Sequence, residues 1–204
     1  MKTKLYLFIL FMITFTASVN SQIFKGGLIL GVNGCQVDGD NLSGYNKFGL
    51  LGGAFIYTPL SKVMDIQLEI EYNGKGAQSV STADEGYQTE YTLNLNYVEL
   101  PVLLRYNTIY NVGIDAGLGF GYLFNPTQSI SNFTSNQTSF NHFELSGIIG
   151  LEYKLNEKFS TIARFSYSLN PIAKTYTNTN DLFLASGLYN NMITVGICYF
   201  FPGT

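Results

Sequence analysis

The sequence predicts an all-β fold, an eight-stranded, antiparallel, up-and-down transmembrane β-barrel. Three observations carry that expectation. Apolar and polar residues alternate along successive segments, the connections between segments are long and short in turn, and aromatic residues gather toward both segment ends. Alternation gives a strand two unlike faces, which a soluble barrel would use the other way round, apolar face inward. Long loops on one side, tight turns on the other and two aromatic girdles at the membrane–water boundaries select the barrel in lipid.

The chain begins with Met1, Lys2 and Lys4, an apolar run from Leu5 to Phe15, then small and polar residues through Ser21. A basic start, a short apolar core and a small-residue exit make a secretory signal peptide, expected at 1–21 with cleavage before Gln22. The apolar run falls short of the ~20 residues of a membrane-spanning helix. Residues 22–204 then form one barrel domain. Losing Lys2 and Lys4 moves the formal charge from −3 to −5. That balance excludes nucleic acid as a partner, because phosphate neutralisation needs a basic surface. Only 12% of residues are charged, about half the usual share of a soluble domain.

The strands are expected at about 24–33, 46–57, 62–73, 91–106, 110–124, 142–155, 159–169 and 189–201. On the third, Met64, Ile66, Leu68, Ile70 and Tyr72 alternate with Asp65, Gln67, Glu69 and Glu71. The fifth sets Val112, Ile114, Ala116, Leu118, Phe120 and Tyr122 against Gly113, Asp115, Gly117, Gly119 and Gly121. The sixth opposes Phe143, Leu145, Ile149, Leu151 and Tyr153 to Glu144, Ser146, Gly150, Glu152 and Lys154, and the eighth opposes Ile193, Val195, Ile197, Tyr199 and Phe201 to Met192, Thr194, Gly196 and Cys198. Tight turns fall at Thr58-Pro59-Leu60-Ser61, Asn107-Thr108-Ile109 and Asn156-Glu157-Lys158. Long, Ser/Thr/Asn/Gly-rich loops fall at 34–45, 74–90, 125–141 and 170–188. Both termini then lie at the tight-turn end, which faces the periplasm in an outer-membrane barrel. Tyr57, Tyr106, Tyr153, Phe159, Tyr199 and Phe201 form the lower girdle, and Tyr72, Tyr122, Phe143, Tyr167 and Tyr189 the upper one.

The first and last strands should close the barrel. Cys198 would then sit opposite residue 28, seven residues from Cys35. At ~3.3 Å per residue the separation exceeds ~20 Å, against the ~7 Å between Cα atoms that a disulfide allows. Two free thiols follow.

By parity the polar face places Asp65, Glu69, Glu71, Glu99, Asp115, Glu144 and Glu152 inside, with Arg105, Lys154 and Arg164. Eight strands enclose a space that side chains fill, and buried charges must be paired. The expectation is a lumen charge network drawn from Glu69, Glu99, Arg105, Asp115, Glu152 and Arg164. A proton or cation path along the excess acid is the sharper alternative. The glycines at 113, 117, 119 and 121 make room in a narrow lumen.

The run from Tyr97 through Glu99, Pro101 and Arg105 to Tyr106 resembles the fourth strand of the PorT-like small outer-membrane β-barrel family, an aromatic-x-Glu-x-Pro-aliphatic segment ending in a base. The resemblance spans the whole mature chain and implies a small membrane barrel, with Glu99 and Arg105 central to its network. The family takes its name from a member tied to a protein-secretion system, while most of its members have no assigned activity. Pro101 removes a ladder hydrogen bond, so a bulge is expected there. It would account for a shift of the polar face between Asn94/Asn96 and Glu99/Arg105. At the C-terminus, Thr194, Gly196, Tyr199 and Phe201 resemble the signal read by the outer-membrane assembly machinery.

Catalytic, metal and cofactor sites are not expected. His142 is the one histidine, and Glu144 stands two residues on, where barrel lipid deacylases place a serine. The expected partners are the lipid bilayer, the assembly machinery and an external or envelope protein contacted by the long loops. The reading is a structural or interaction barrel of unknown specific role. The rivals are a narrow transport pore, a lipid-modifying enzyme and a soluble lipocalin-like carrier.

Overall fold

The computed structural model describes residues 24–40, 42, 44–79, 91–130, 133–134, 139–174 and 187–202. The expected signal peptide and the tips of the long loops lie outside them. Eight long strands follow in order: β1 (Lys25–Asp38), β2 (Lys47–Pro59), β3 (Met64–Gln78), β4 (Tyr91–Asn107), β5 (Val112–Ile130), β6 (Phe143–Lys154), β7 (Phe159–Ser168) and β8 (Gly187–Phe200). Two-residue strands flank β5 and β8, at Phe133–Thr134 and Ala173–Lys174. Each long strand pairs antiparallel with its sequence neighbours, and β1 pairs β8, so the sheet closes. Closure leaves no free edge, the condition for a sheet to sit in hydrocarbon.

The faces fall as the alternation requires. Ile70 is 57% exposed while its neighbours Glu69 and Glu71 are 1% and 4%. Leu30, Leu50, Leu100, Leu118, Ile149, Phe165 and Val195 also point out. This apolar surface outside and polar interior inside are the inverse of a soluble barrel, and they exclude the lipocalin-like arrangement.

Local chemistry sets the short turns. Ser61 Oγ accepts from the backbone of Val63 and Met64 at 3.3 and 3.1 Å. Asn156 Oδ1 accepts from Lys158 and Phe159 at 2.9 and 3.0 Å. Asn111 takes the left-handed φ of 58°, which asparagine tolerates better than most residues.

Four expectations need correction. Strands β1, β3 and β5 run on to Asp38, Gln78 and Ile130, through stretches read as loop. A membrane strand needs ~9–11 residues, so β4 (17 residues) and β5 (19 residues) overshoot at the long-loop end. Second, Pro101 carries no bulge. The β3–β4 ladder skips the Glu69–Ile70 and Leu100–Pro101 positions and resumes in the same register, Leu68↔Val102 and Glu71↔Glu99. The irregularity lies instead where Asn94 pairs Thr127 and Asn96 pairs Phe124. There Asn125, at φ 52°, and Pro126 together oppose Leu95. Third, without a register change at Pro101 the inward set of β4 runs unbroken from Leu93 to Arg105, so Asn94 and Asn96 lie on the outer wall. Fourth, Tyr57 belongs to the lumen, where its ring meets Phe200 at 5.8 Å, and not to the girdle. Tyr106, Tyr153, Phe159 and Phe201 do face out at that end, as Tyr72, Tyr122 and Phe143 do at the other.

Cys198 pairs across from Ile29 and Cys35 from Met192. Six residues of β1 separate the thiols, about 20 Å of strand, and both are free and buried.

Candidate functional site

The lumen is the candidate site, and it is built in layers. Toward the short-turn end, Phe55, Tyr57 and Phe200 stack over Ile29, Leu51, Ile162 and Cys198 as an apolar floor. Above it Arg105, 2% exposed, grips Asp115 with two hydrogen bonds, Nε to Oδ1 at 2.7 Å and Nη2 to Oδ2 at 3.1 Å. Its third nitrogen, Nη1, meets Glu152. Arg164 forks onto both oxygens of Glu69 at 2.7 and 2.8 Å and lies 3.7 Å from Asp115. Thus Glu152, Arg105, Asp115, Arg164 and Glu69 form one continuous ion-paired chain across five strands. Planar guanidinium forks suit such bidentate pairing.

Glu99 stands apart from that chain. It was expected to join Arg105, yet six residues of β4 separate them, about 20 Å. Its partner is Lys75, whose Nζ lies 2.6 Å from Glu99 and 3.1 Å from Glu144. Asn73 donates to Glu99 at 2.6 Å, Ser168 donates to Glu144, and Asn190 donates to Glu144 at 2.9 Å and to the Tyr97 hydroxyl at 3.3 Å. The ammonium also sits 4.9 Å from the Tyr97 ring centroid, a favourable cation–π distance. Between the two networks, Asn33 bridges Asn73 at 2.6 Å and accepts from Thr194 at 2.8 Å. Among the described buried carboxylates, Glu71 alone has no cation within 4 Å.

Space for these side chains comes from glycine. Gly121 sits between Glu99 and Glu144, Gly113 beside Glu152, Gly150 between Asp115 and Arg164, and Gly53 beside Glu71. A Cβ at Gly150 would stand 2.7 Å from Arg164 Cγ, and one at Gly121 3.1 Å from Glu99 Oε1.

Above Lys75 the interior turns apolar again. Val37, Ala77, Leu93, Leu95, Tyr97, Leu123 and Ile172 close the lumen as a second core. Here the barrel's polarity reverses: inside is apolar, while Asn94 and Asn96 take the outer wall. That is the pattern of a barrel rising out of lipid into water.

Sequence reasoning missed Lys75 because it ended the third strand at 73. The signal was present, since Asp65, Gln67, Glu69, Glu71, Asn73 and Lys75 keep one parity. Lys154 and Asp65, both expected inside, are only part-buried and share Asn107, at 3.2 and 2.6 Å. His142 is exposed at the long-loop end, its Nδ1 3.1 Å from the Leu123 carbonyl and its ring stacked on Tyr122. Glu144 points away from it toward Lys75. Thr194, Gly196 and Cys198 face inward on β8, with Tyr199 and Phe201 on the opposite face.

A closed sheet with an aliphatic exterior, aromatic rims and an ion-paired, capped interior defines a membrane-embedded β-barrel. The chain belongs to the family described as outer membrane protein beta-barrel domain, whose family model matches residues 9–174. It is therefore an integral protein of the outer membrane, embedded in the bilayer. No curated protein matches it in sequence. Among solved structures it is similar to Ail, the attachment invasion locus protein of Yersinia pestis, in complex with the heparin analogue sucrose octasulfate. That match has 13% identity and a TM-score of 0.51, covering 87% of this chain and 99% of Ail. A second Ail structure matches at 12% identity and a TM-score of 0.50, covering 87% and 98%. Neisserial surface protein A matches at 12% identity and a TM-score of 0.49, covering 87% and 97%. At such identity the two Ail matches speak to the fold alone.

Proposed function

We propose that this barrel is a non-conducting, non-enzymatic anchor that presents its long-loop end outside the cell to a protein or envelope partner. One observation carries the reading: the lumen is ion-paired through its middle and filled by side chains toward both ends, by an apolar core at the long-loop end and by Phe55, Tyr57 and Phe200 beside the Asp65–Asn107–Lys154 group at the short-turn end. Such a lumen transmits nothing, which leaves the wall and the projecting end as working surfaces. The strands that overshoot the bilayer support this, because they build a platform beyond the headgroups. Export through the signal peptide at 1–21 puts the termini and short turns in the periplasm. The run of Thr194, Gly196, Tyr199 and Phe201 supports delivery by the outer-membrane assembly machinery. Tyr97, Glu99, Pro101 and Arg105 support a place in the PorT-like branch.

The test is reconstitution into planar bilayers, together with replacement of residues 80–90 by a Gly/Ser linker in cells. The expected result is no conductance steps and loss of an envelope or binding phenotype with intact folding. Reproducible steps from the folded protein would overturn the anchor reading in favour of a pore.

A further inference from the structure

We infer that the short-turn mouth of the lumen is a binding site for an acidic peptide segment of a periplasmic partner. A pocket of about 470 Å³ opens there, lined by Lys25, Lys154, Lys158, Glu157, Tyr57 and Phe200. Its volume falls within the range of ligand clefts, roughly 300–1,000 Å³. Parity aims the lysines at it, because side chains two apart on a strand share a face. Lys25 lies two residues before Gly27, Lys154 two after Glu152 and Lys158 two before Ser160, and all three of those neighbours are buried. Lys25 and Lys158 are exposed and Lys154 is part-buried, so their ammonium groups are within reach of a ligand arriving from water.

The ladder spreads the lysines around the rim. Phe201 N donates to Gly26 O at 2.9 Å and Phe200 N to Lys158 O at 2.8 Å. Lys25 and Lys158 therefore flank the end of β8, two strand spacings or about 10 Å apart. Lys154 ends β6, across the tight turn from Lys158. Against three lysines the lining offers one carboxylate, Glu157. Asp65, on the same end of the inner wall, is engaged by Asn107 at 2.6 Å, and Glu152, one layer deeper, is held by Arg105. Among the described residues no carboxylate lies within 4 Å of Lys25, Lys154 or Lys158, and only Lys154 has a side-chain partner, Asn107 at 3.2 Å. Uncommitted positive charge in a chain of net charge −3 selects an anionic partner. A lone phosphate would satisfy one or two of these ammonium groups. An extended chain with a carboxylate at successive residues, at about 3.3 Å per residue, spans the rim and meets all three. The rings of Tyr57 and Phe200, 5.8 Å apart, offer an apolar surface to the stems of its side chains. The apolar hollow on the lipid-facing wall, at Leu30, Phe159 and Ile197, shares no residue with this pocket, so a phospholipid in the bilayer leaves the mouth unfilled.

The partner's compartment rests on the orientation of the anchor, with its short turns in the periplasm. Binding to the barrel in micelles does not depend on it, so either can fail alone. The experiment is fluorescence anisotropy of a hexaglutamate peptide ending in one tryptophan, titrated with the folded barrel in non-ionic micelles. The chain has no tryptophan, so tryptophan emission reports the peptide alone. A hexaserine peptide with the same terminal tryptophan measures uptake by the micelle. The wild type is expected to bind hexaglutamate in preference to hexaserine, and to lose that binding as salt rises from about 0.05 M to about 0.5 M. K25Q/K158Q should weaken it about tenfold, on the order of threefold for each exposed ion pair lost. K62Q, the same kind of charge change at the same end but outside the pocket, should leave it within about twofold. A heat-dependent gel shift confirms that each variant is folded. Equal binding of the two peptides, a double variant that binds like the wild type, or a loss in K62Q as large as in K25Q/K158Q would each overturn the proposal. Displacement of the peptide by equimolar inorganic phosphate would also overturn it, and would assign the mouth to a small anion.

Discussion

Arg105 holds two buried carboxylates at once. It is 2% exposed and its guanidinium serves both Asp115 and Glu152, themselves 0% and 1% exposed. Arg105→Met keeps the volume and removes the charge. Asp115 would retain only the longer 3.7 Å contact to Arg164, and Glu152 would have no cation within 4 Å among the described residues. Leaving one buried carboxylate uncompensated costs about 3–5 kcal/mol, so the loss should be near 4 kcal/mol. At a urea slope of about 2 kcal/mol per molar, the unfolding midpoint should fall by roughly 2 M. The chain has no tryptophan and 15 tyrosines, so tyrosine fluorescence and far-UV circular dichroism in lipid vesicles are the probes, with gel mobility as a check on folding. The triple variant Arg105→Met, Asp115→Asn, Glu152→Gln removes the stranded charges along with their partner. It should recover to within about 1 kcal/mol of the wild type, as replaced buried ion pairs often do. A shift under about 0.5 M for the single variant, or a triple variant no better than the single, would refute the account of a lumen held by compensated charge.

Two further outcomes follow from packing. Gly117→Val should prevent barrel formation, since even a Cβ there would come within 2.0 Å of the Val102 carbonyl and 2.9 Å of the Leu103 backbone. Absence of the heat-dependent mobility shift is the readout. Cys35 and Cys198, each 1% exposed, should react with a maleimide only after unfolding, and non-reducing gels should show no intramolecular disulfide. Rapid labelling of the folded barrel would contradict their placement in the lumen.

The sequence by itself determined the strand count, the order of turns and, at most strand positions, the side a residue faces, with Tyr57 the exception among the expected girdle residues. Those properties follow from a period of two and from local turn chemistry. Alternation through Asp65, Gln67, Glu69 and Glu71 tells inside from outside without any knowledge of partners, and Ser61 and Asn156 shape their turns through neighbours two or three residues away. The distance that keeps Cys35 from Cys198 is legible for the same reason, once the first and last strands are taken as neighbours. Only the tertiary structure decided which charges meet. Arg164 lies 95 residues from Glu69, and Lys75 lies 69 residues from Glu144. Strand tilt and stagger set which rows face each other across the lumen, and residues sharing a face of one strand, as Glu99 and Arg105 do, can still lie far apart along the axis. The position of the bulge was likewise a tertiary decision. A proline gap at Pro101 can be absorbed by leaving ladder bonds unmade, whereas the extra residue at Asn125–Pro126 has to be accommodated against Leu95. The reversal of polarity above Lys75 belongs to both levels. Leu93, Leu95 and Leu123 are written in the sequence as apolar residues of inward parity, but it takes the closed barrel, longer than the bilayer is thick, to show that at this height water is outside and the core within.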